Sequence, residues 1–153
     1  MTIKDQLRSD MTAAMKAKDT TTLRTLRMVI AAIGAAEVAG DTRSELDDDQ
    51  VLAVLASEAK KRVEAADAYA GGGRDEQAAA ERAEGEVIAR YLPAALGADE
   101  LDALVADEVA RAAADGQSGP KAMGAVIKAV RARAGATADG GAIAAAVKAA
   151  LAG

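Results

Sequence analysis

Alanine is the residue that most constrains this chain. Of its 153 residues 43 are Ala, whereas Phe, Trp, Cys and His are absent. Alanine has the highest helix propensity, and the β-branched and aromatic residues that favour strands are scarce here. The sequence therefore predicts an all-α protein, in which small side chains let the helices approach closely and few large residues form the core.

The missing residue types exclude several classes of chemistry. Without His or Cys the chain cannot form a Ser-His-Asp or Cys-His nucleophile system, a zinc site of the usual ligands or a disulfide. The acidic run 47–49 is a poor metal site because neighbouring side chains on a helix diverge by about 100°. The glycines 71–73 lack the Lys and Ser/Thr of a phosphate-binding loop. We therefore predict no catalytic residue, no cofactor and no metal.

Hydropathy and the N-terminal residues indicate a cytoplasmic protein. No apolar run reaches the roughly 18 to 20 residues that a membrane span needs. The opening sequence MTIKDQLRSD lacks the basic segment followed by an apolar segment that is typical of a signal peptide. We therefore expect no membrane contact.

Apolar residues at helical spacing predict two helical domains that meet at Leu92-Pro93. The residue before a proline disfavours helical conformation, which makes Pro93 the boundary. An N-terminal domain of about four helices is expected over residues 1–93, and a small three-helix bundle over residues 94–153.

Capping residues predict where the N-terminal helices begin. The predicted caps of the first three helices are Thr2 with Asp5, then Asp19 or Thr20, then Ser44 with Asp47. The second helix is expected to end near Gly40, and the fourth to run from about Asp75 to Tyr91. The third helix is expected to turn six residues inward, namely Val51, Leu52, Leu55, Ala59, Val63 and Ala66.

Charge is segregated along the chain, whose formal net charge is −5. Residues 98–115 hold one basic and six acidic side chains. Residues 116–153 hold five basic side chains against a single Asp139. An acidic protein therefore ends in a basic segment, which is the first candidate for contact with an anionic partner.

The basic residues of that segment predict one cationic helix face. On a helix continuing from Lys121, both Lys128 and Arg131 fall on the side opposite the apolar residues 123, 126, 127 and 130. Gly124 falls inside the same arc, although a glycine within a helix costs about 1 kcal/mol relative to alanine. Close approach of a phosphate backbone or of a neighbouring helix would explain this glycine. The charges, taken without the glycine, are also explained by an ordinary solvated helix face.

A second basic cluster, Lys60-Lys61-Arg62, is bracketed by Glu58 and Glu64. Glu58 with Arg62 has the favourable i,i+4 orientation, which indicates ion pairing on a helix surface. Binding of phosphate or of a partner is the other interpretation of this cluster.

Several short strings in fixed order then identify a family resemblance. They are Thr25-Leu26-Arg27-Met28 with Ala31-Ala32-Ile33, the segment 58–62, Gly73-Arg74, Tyr91-Leu92-Pro93 and Glu100-Leu101. Together they resemble the YqeY family over nearly the whole chain. The segment 121–128, with a final helix ending in Lys148 and Leu151, is similar to the C-terminal domain of GatB, the tRNA-handling subunit of the glutamine-dependent aminoacyl-tRNA amidotransferase.

The resemblance implies a tail that contacts the outer body of tRNA. By resemblance Lys121, Gly124 and Lys128 are the RNA-binding positions. Helix geometry adds Arg131 and Arg133, and Lys148 of the last helix completes the candidate set. The sequence departs from the family pattern at residues 134–140, which lack the additional Lys or Arg expected before the last helix, and this predicts weak RNA binding.

The resemblance does not carry amidotransferase chemistry to this chain. The amidase centre belongs to a different subunit, and the kinase-like part of GatB has no counterpart here, so a carbon–nitrogen ligase activity with glutamine as amido donor is not supported by residues. We predict a non-catalytic, tRNA-binding accessory protein of translation, with tRNA and amidotransferase subunits as expected partners. The alternative is a helical protein-interaction module that docks on an amidotransferase or another partner without RNA contact.

Overall fold

The computed structural model describes residues 1–94, 96–135 and 138–152. These residues form seven α-helices and one short 3₁₀ helix, and no strand occurs among them. The predicted all-α class is confirmed. The chain divides into two compact units, Met1–Pro93 and Ala94–Gly153, each with its own apolar core.

Four helices build the N-terminal unit: α1 (Ile3–Ala17), α2 (Thr20–Glu37), α3 (Asp48–Gly71) and α4 (Asp75–Ala89). The helix α3 packs along α4, and α1 packs on α2. All four helices contribute to one buried apolar cluster. Most of the stability of each helix therefore comes from its packing on the others. The buried members are Leu7, Leu26, Val29, Ile33, Val51, Leu55, Val87 and Ile88.

Two of the predicted helix starts are confirmed and one is wrong. Thr2 and Asp5 form a reciprocal capping box at α1, and Asp19 caps α2. Ser44 does not cap α3, because the helix begins only at Asp48 and Ser44 lies in the preceding loop, where its backbone N–H donates to the carbonyl of Glu37 at 2.9 Å. Asp47 takes the capping position instead. The helix α2 also ends at Glu37, before the expected Gly40.

The predicted inward position of Val63 in α3 is also wrong. It was expected to point inward, but 59% of its surface is exposed. The line of α3 that faces α4 runs through Glu58, Arg62 and Ala66, since Glu58 and Ala66 are buried and Arg62 nearly so. Val63 lies about 100° around the helix from Arg62, at the edge of the α3–α4 contact, where it lines an open groove together with residues of α4.

A buried ion pair joins the start of α1 to the end of α2. The ammonium of Lys4 donates to Glu37 Oε1 at 2.6 Å, and only 11% and 9% of the two side chains is exposed. Glu37 also accepts from the backbone N–H of Leu46 at 3.2 Å, and Lys4 donates to Glu45 at 3.1 Å. The hydrogen bond between Lys4 and Glu37 lowers the pKa of Glu37 and raises the pKa of Lys4. The pair fixes the loop that leads to α3.

This pair predicts an acid-sensitive stability. Because the folded pKa of Glu37 is lowered, its contribution is complete above the ordinary glutamate pKa of about 4.3 and is lost as pH falls through the lower folded value. We expect Glu37→Gln to flatten the pH dependence of the unfolding midpoint in urea below about pH 5. Both tyrosines, Tyr69 and Tyr91, lie in this unit, so tyrosine fluorescence follows its unfolding. An unchanged acid limb in the variant would contradict the assignment.

The C-terminal unit contains α5 (Ala98–Ala114), a 3₁₀ helix (Gly119–Ala122), α6 (Met123–Ala134) and α7 (Gly140–Ala152). Its three α-helices pack on each other in pairs. Their shared core is made of β-branched residues and one alanine, so it is small. The buried members are Val105, Ala122, Val126, Val130, Ile143 and Val147.

The start of α6 differs from the prediction. Lys121 belongs to the 3₁₀ helix, so it does not share the α-helical turn angle of Lys128. Gly124 is the second residue of α6 and not a residue of the helix interior, so its cost to helix stability is smaller than expected.

Of the stretch before α7, Ala136 and Thr137 lie outside the described residues. No helix in the described part of the chain combines the length and apolar character that crossing a bilayer requires.

Candidate nucleic-acid interface

One exposed face of α6 carries cations between small residues. At about 100° per residue, Gly124, Lys128 and Arg131 fall within about 60° of one another. All three are exposed, and so are Ala125 and Ala132 beside them. Val126 and Val130 are buried on the opposite side, which fixes the direction in which this face points. We call Gly124, Lys128 and Arg131 with these two alanines the open α6 face.

Four exposed cations of the C-terminal unit have no ion-pair partner in the described part of the chain. Among the residues that the structure describes, no carboxylate lies within 4.0 Å of Lys121, Lys128, Arg131 or Lys148, whereas Arg111 and Arg133 each contact two. Lys121 lies just before α6, and Lys148 is exposed on α7. These four side chains are therefore available to an external anion.

Gly124 leaves the middle of this face without a side chain. A Cβ built at Gly124 would meet no atom within 4 Å, so packing within the described chain does not require glycine here. Together with Ala125 and Ala132 it makes a smooth surface beside Lys128. Such a surface allows a phosphate backbone or a second helix to approach the backbone of α6 closely.

Arg131 extends from the open α6 face toward the start of α7. A methyl group at Gly140 would overlap the Arg131 guanidinium, so the two are in contact. The carboxylate of Asp139 accepts from the backbone N–H of Gly141 at 2.9 Å and caps this helix start. A helix N-terminus is partially positive and the guanidinium carries a full positive charge, so an anion beside Arg131 would be attracted by both.

Arg133 is placed differently from the other candidates. It lies about 200° around α6 from Arg131 and donates to Glu108 Oε1 at 2.9 Å and to Asp107. These contacts raise the pKa of Arg133, and its guanidinium lowers the pKa of Asp107. Arg111 contacts the same two carboxylates at 3.5 and 3.6 Å. Arg133 therefore ties α6 to α5 and does not belong to the open α6 face.

The second basic cluster is divided between solvent and interior. Lys60 is exposed, and Lys61 pairs with Glu58 at 3.0 Å. Only 12% of the Arg62 side chain is exposed, and its guanidinium lies 3.4 Å from Glu58 and 3.1 Å from Glu84. The predicted pairing of Glu58 with Arg62 is thus present, and the three basic residues do not form one surface.

The carboxylates of α4 complete a network that the sequence did not indicate. Glu84 also pairs with Arg24 of α2 at 3.1 Å, and Glu81 lies 3.7 Å from Arg62. Arg62 thus connects three helices of the N-terminal unit. The sequence does indicate an acidic face on α4, since Glu81 and Glu84 stand three residues apart. The spacing does not show that Arg62 of α3 is their partner.

The family model of the Yqey-like proteins matches residues 4–151 of this chain, which includes both units. The chain belongs to the YqeY-like family. The resemblance inferred from the short strings is thereby confirmed.

Similarity to one curated relative extends over part of the YqeY-like chain. It is 38% identical over 101 residues to "Altered inheritance of mitochondria protein 41, mitochondrial" of Meyerozyma guilliermondii. The match covers 64% of this chain and 52% of that relative, so it spans about half the relative's length. The relative is named as mitochondrial, and the cytoplasmic location of the YqeY-like chain stays a prediction.

Proposed function

We propose that this YqeY-like protein is a non-catalytic tRNA-binding module, and that the open α6 face with Lys121 and Lys148 contacts tRNA phosphates. The observation that carries the proposal is that Lys128 and Arg131 on α6, and Lys121 just before it, are exposed and have no carboxylate within 4.0 Å among the described residues. Phosphate contacts dominate affinity for nucleic acids, and lysine and arginine supply them. We also propose that the protein acts in the cytoplasm.

The chemistry of the face favours backbone contact over base reading. The open α6 face presents neither an aromatic side chain on which a base could stack nor an amide that could read a base edge. Recognition by such a surface depends on the shape and spacing of phosphates. The resemblance of the tail to the GatB C-terminal domain is the reason for choosing tRNA among structured RNAs.

Salt dependence provides the test of this proposal. If Lys121, Lys128, Arg131 and Lys148 neutralise up to four phosphates, we expect log affinity to fall with log salt at a slope of about −3 to −4. Fluorescence anisotropy of labelled bulk tRNA, titrated with the full chain at several salt concentrations, measures this slope. A DNA duplex of equal length is expected to compete poorly. Absence of binding at low salt would overturn the proposal.

Docking of a partner helix is the second candidate, and the empty space around Gly124 is the observation that favours it. A helix seated on small residues depends on shape, so Gly124→Leu would abolish binding while Lys128→Gln would change it little. Phosphate contact predicts a strong effect of Lys128 and a salt slope. Pull-down with amidotransferase subunits after ribonuclease treatment separates the two candidates.

A further inference from the structure

A small cavity lies between α1 and α2 in the N-terminal unit. Its volume is about 140 Å³, and its apolar lining comes from Leu7, Ile30 and Ile33. An apolar cavity of roughly 150 Å³ can hold a molecule the size of benzene. This cavity therefore has room for a body of about six non-hydrogen atoms, far fewer than a drug-sized ligand.

Gly34 stands at the edge of this cavity, in the interior of α2. A Cβ built there would meet no atom within 4 Å, so helix packing does not require glycine. Glycine in a helix interior is less stable than alanine, because it loses more backbone freedom on folding. The lack of a side chain at Gly34 keeps the cavity open, since any large side chain would extend over it.

Two arginines on the cavity wall have unused hydrogen-bonding capacity. Arg8 lies 3.9 Å from its nearest carboxylate, that of Asp5, and Arg43 lies 4.0 Å from Glu37. Both distances exceed the 2.7 to 3.2 Å of a good N–H···O hydrogen bond. The side chains are 60% and 79% exposed, so an anion from solvent can reach both guanidinium groups. Guanidinium groups bind carboxylate and phosphate through paired hydrogen bonds.

The remaining charges on the wall do not oppose an anion. Glu37 is the one carboxylate among the lining residues, and it is bonded to Lys4 at 2.6 Å and to the N–H of Leu46. The charges of Lys4 and Glu37 therefore offset each other. Among the lining residues Arg8 and Arg43 remain as cations above an apolar floor, whereas Asp5 beside Arg8 and Glu45 beside Lys4 lie outside the lining.

We propose that this cavity binds a small molecule in which a carboxylate or phosphate head is joined to an aliphatic body of about four to six carbons. The body packs on Leu7, Ile30 and Ile33, and the head bonds to Arg8 and Arg43. The site lies in the N-terminal unit, whereas the proposed tRNA surface lies in the C-terminal unit, so either proposal can fail without the other.

Calorimetric titration of the full chain tests the site with four probes. We expect saturable binding of 3-methylbutanoate or of 3-methylbutyl phosphate, and at least tenfold weaker binding of acetate and of neutral 3-methylbutan-1-ol. The stronger of the two charged probes identifies the head. Replacing Arg8 or Arg43 by alanine should weaken it about tenfold, as expected for one charge-assisted pair. If neither charged probe saturates the wild-type chain, the proposal is wrong.

Gly34→Leu is the decisive variant because it fills the cavity opening without harming the helix. We expect it to abolish binding and to raise the melting temperature, so the loss cannot come from unfolding. Gly71→Leu is the matched control, since Gly71 is another helical glycine of the unit whose Cβ would meet nothing within 4 Å. It should bind like wild type. Unchanged affinity in Gly34→Leu would overturn the site.

Discussion

Replacing both Lys128 and Arg131 by glutamate is expected to weaken tRNA binding by about 50-fold to 100-fold near 0.1 M salt. Release of counterions at that concentration contributes roughly eightfold in affinity for each phosphate contact, and the two new carboxylates add repulsion. The fold should persist. Both side chains are exposed without a salt bridge in the described chain, and a glutamate at position 131 would lie near the partially positive start of α7.

A matched double charge reversal controls for net charge. Lys60→Glu with Arg82→Glu changes the total charge by the same amount on exposed positions of the N-terminal unit. We expect this variant to bind tRNA within about threefold of wild type, because salt screens the interaction between these distant charges and the tRNA. Equal losses in the two variants would show that binding follows overall charge and would reject the open α6 face as the contact surface.

Arg62→Leu is expected to lower the free energy of unfolding of the N-terminal unit by about 3 to 5 kcal/mol, the usual cost of leaving a buried charge without its partner. Glu58 and Glu84 would face each other across the α3–α4 interface without the buried guanidinium between them, and would keep only the exposed Lys61 and Arg24 as partners. Urea unfolding followed by tyrosine fluorescence measures this loss.

Two further variants test the physical cause. Lys60→Ala removes the neighbouring exposed cation and should change stability by less than about 0.5 kcal/mol. Arg62→Leu combined with Glu84→Leu should recover part of the lost stability, because an apolar pair of similar volume avoids the desolvation of charges. A loss below about 1 kcal/mol in Arg62→Leu would mean that the network is not buried in solution. The affinity for tRNA should not change in any of these variants.

The cationic residues show how far sequence reasoning extends in this protein. The sequence placed Lys128 and Arg131 on a solvent face through the 3.6-residue period, and both are exposed there. The same period treated Arg62 as a surface residue, although its side chain is only 12% exposed. The period locates a residue on its own helix and carries no information about which other helix covers that side.

Corrections at the helix ends have a similar origin. Ser44 had the spacing of a capping residue, but the chain at Ser44 is still in the loop, bonded to the carbonyl of Glu37, and α3 begins only at Asp48. The 3₁₀ helix that holds Lys121 runs from Gly119 to Ala122 and ends before α6, so a single α-helical wheel from Lys121 was the wrong geometry. In both places a competing backbone arrangement overruled a local signal.

By itself the sequence determined the all-α class, the cap Thr2, the cap of α2 to within Asp19 or Thr20, and the family, because helix propensity, capping and motif order are encoded within a few neighbouring residues. The tertiary structure alone decided which cations are free. Arg62 and Arg133 are held by Glu84 and Glu108 of other helices, whereas Lys128 meets no carboxylate in the part of the chain that the structure describes. Pairing between helices depends on how they pack, and packing brings together residues that no spacing along the chain connects.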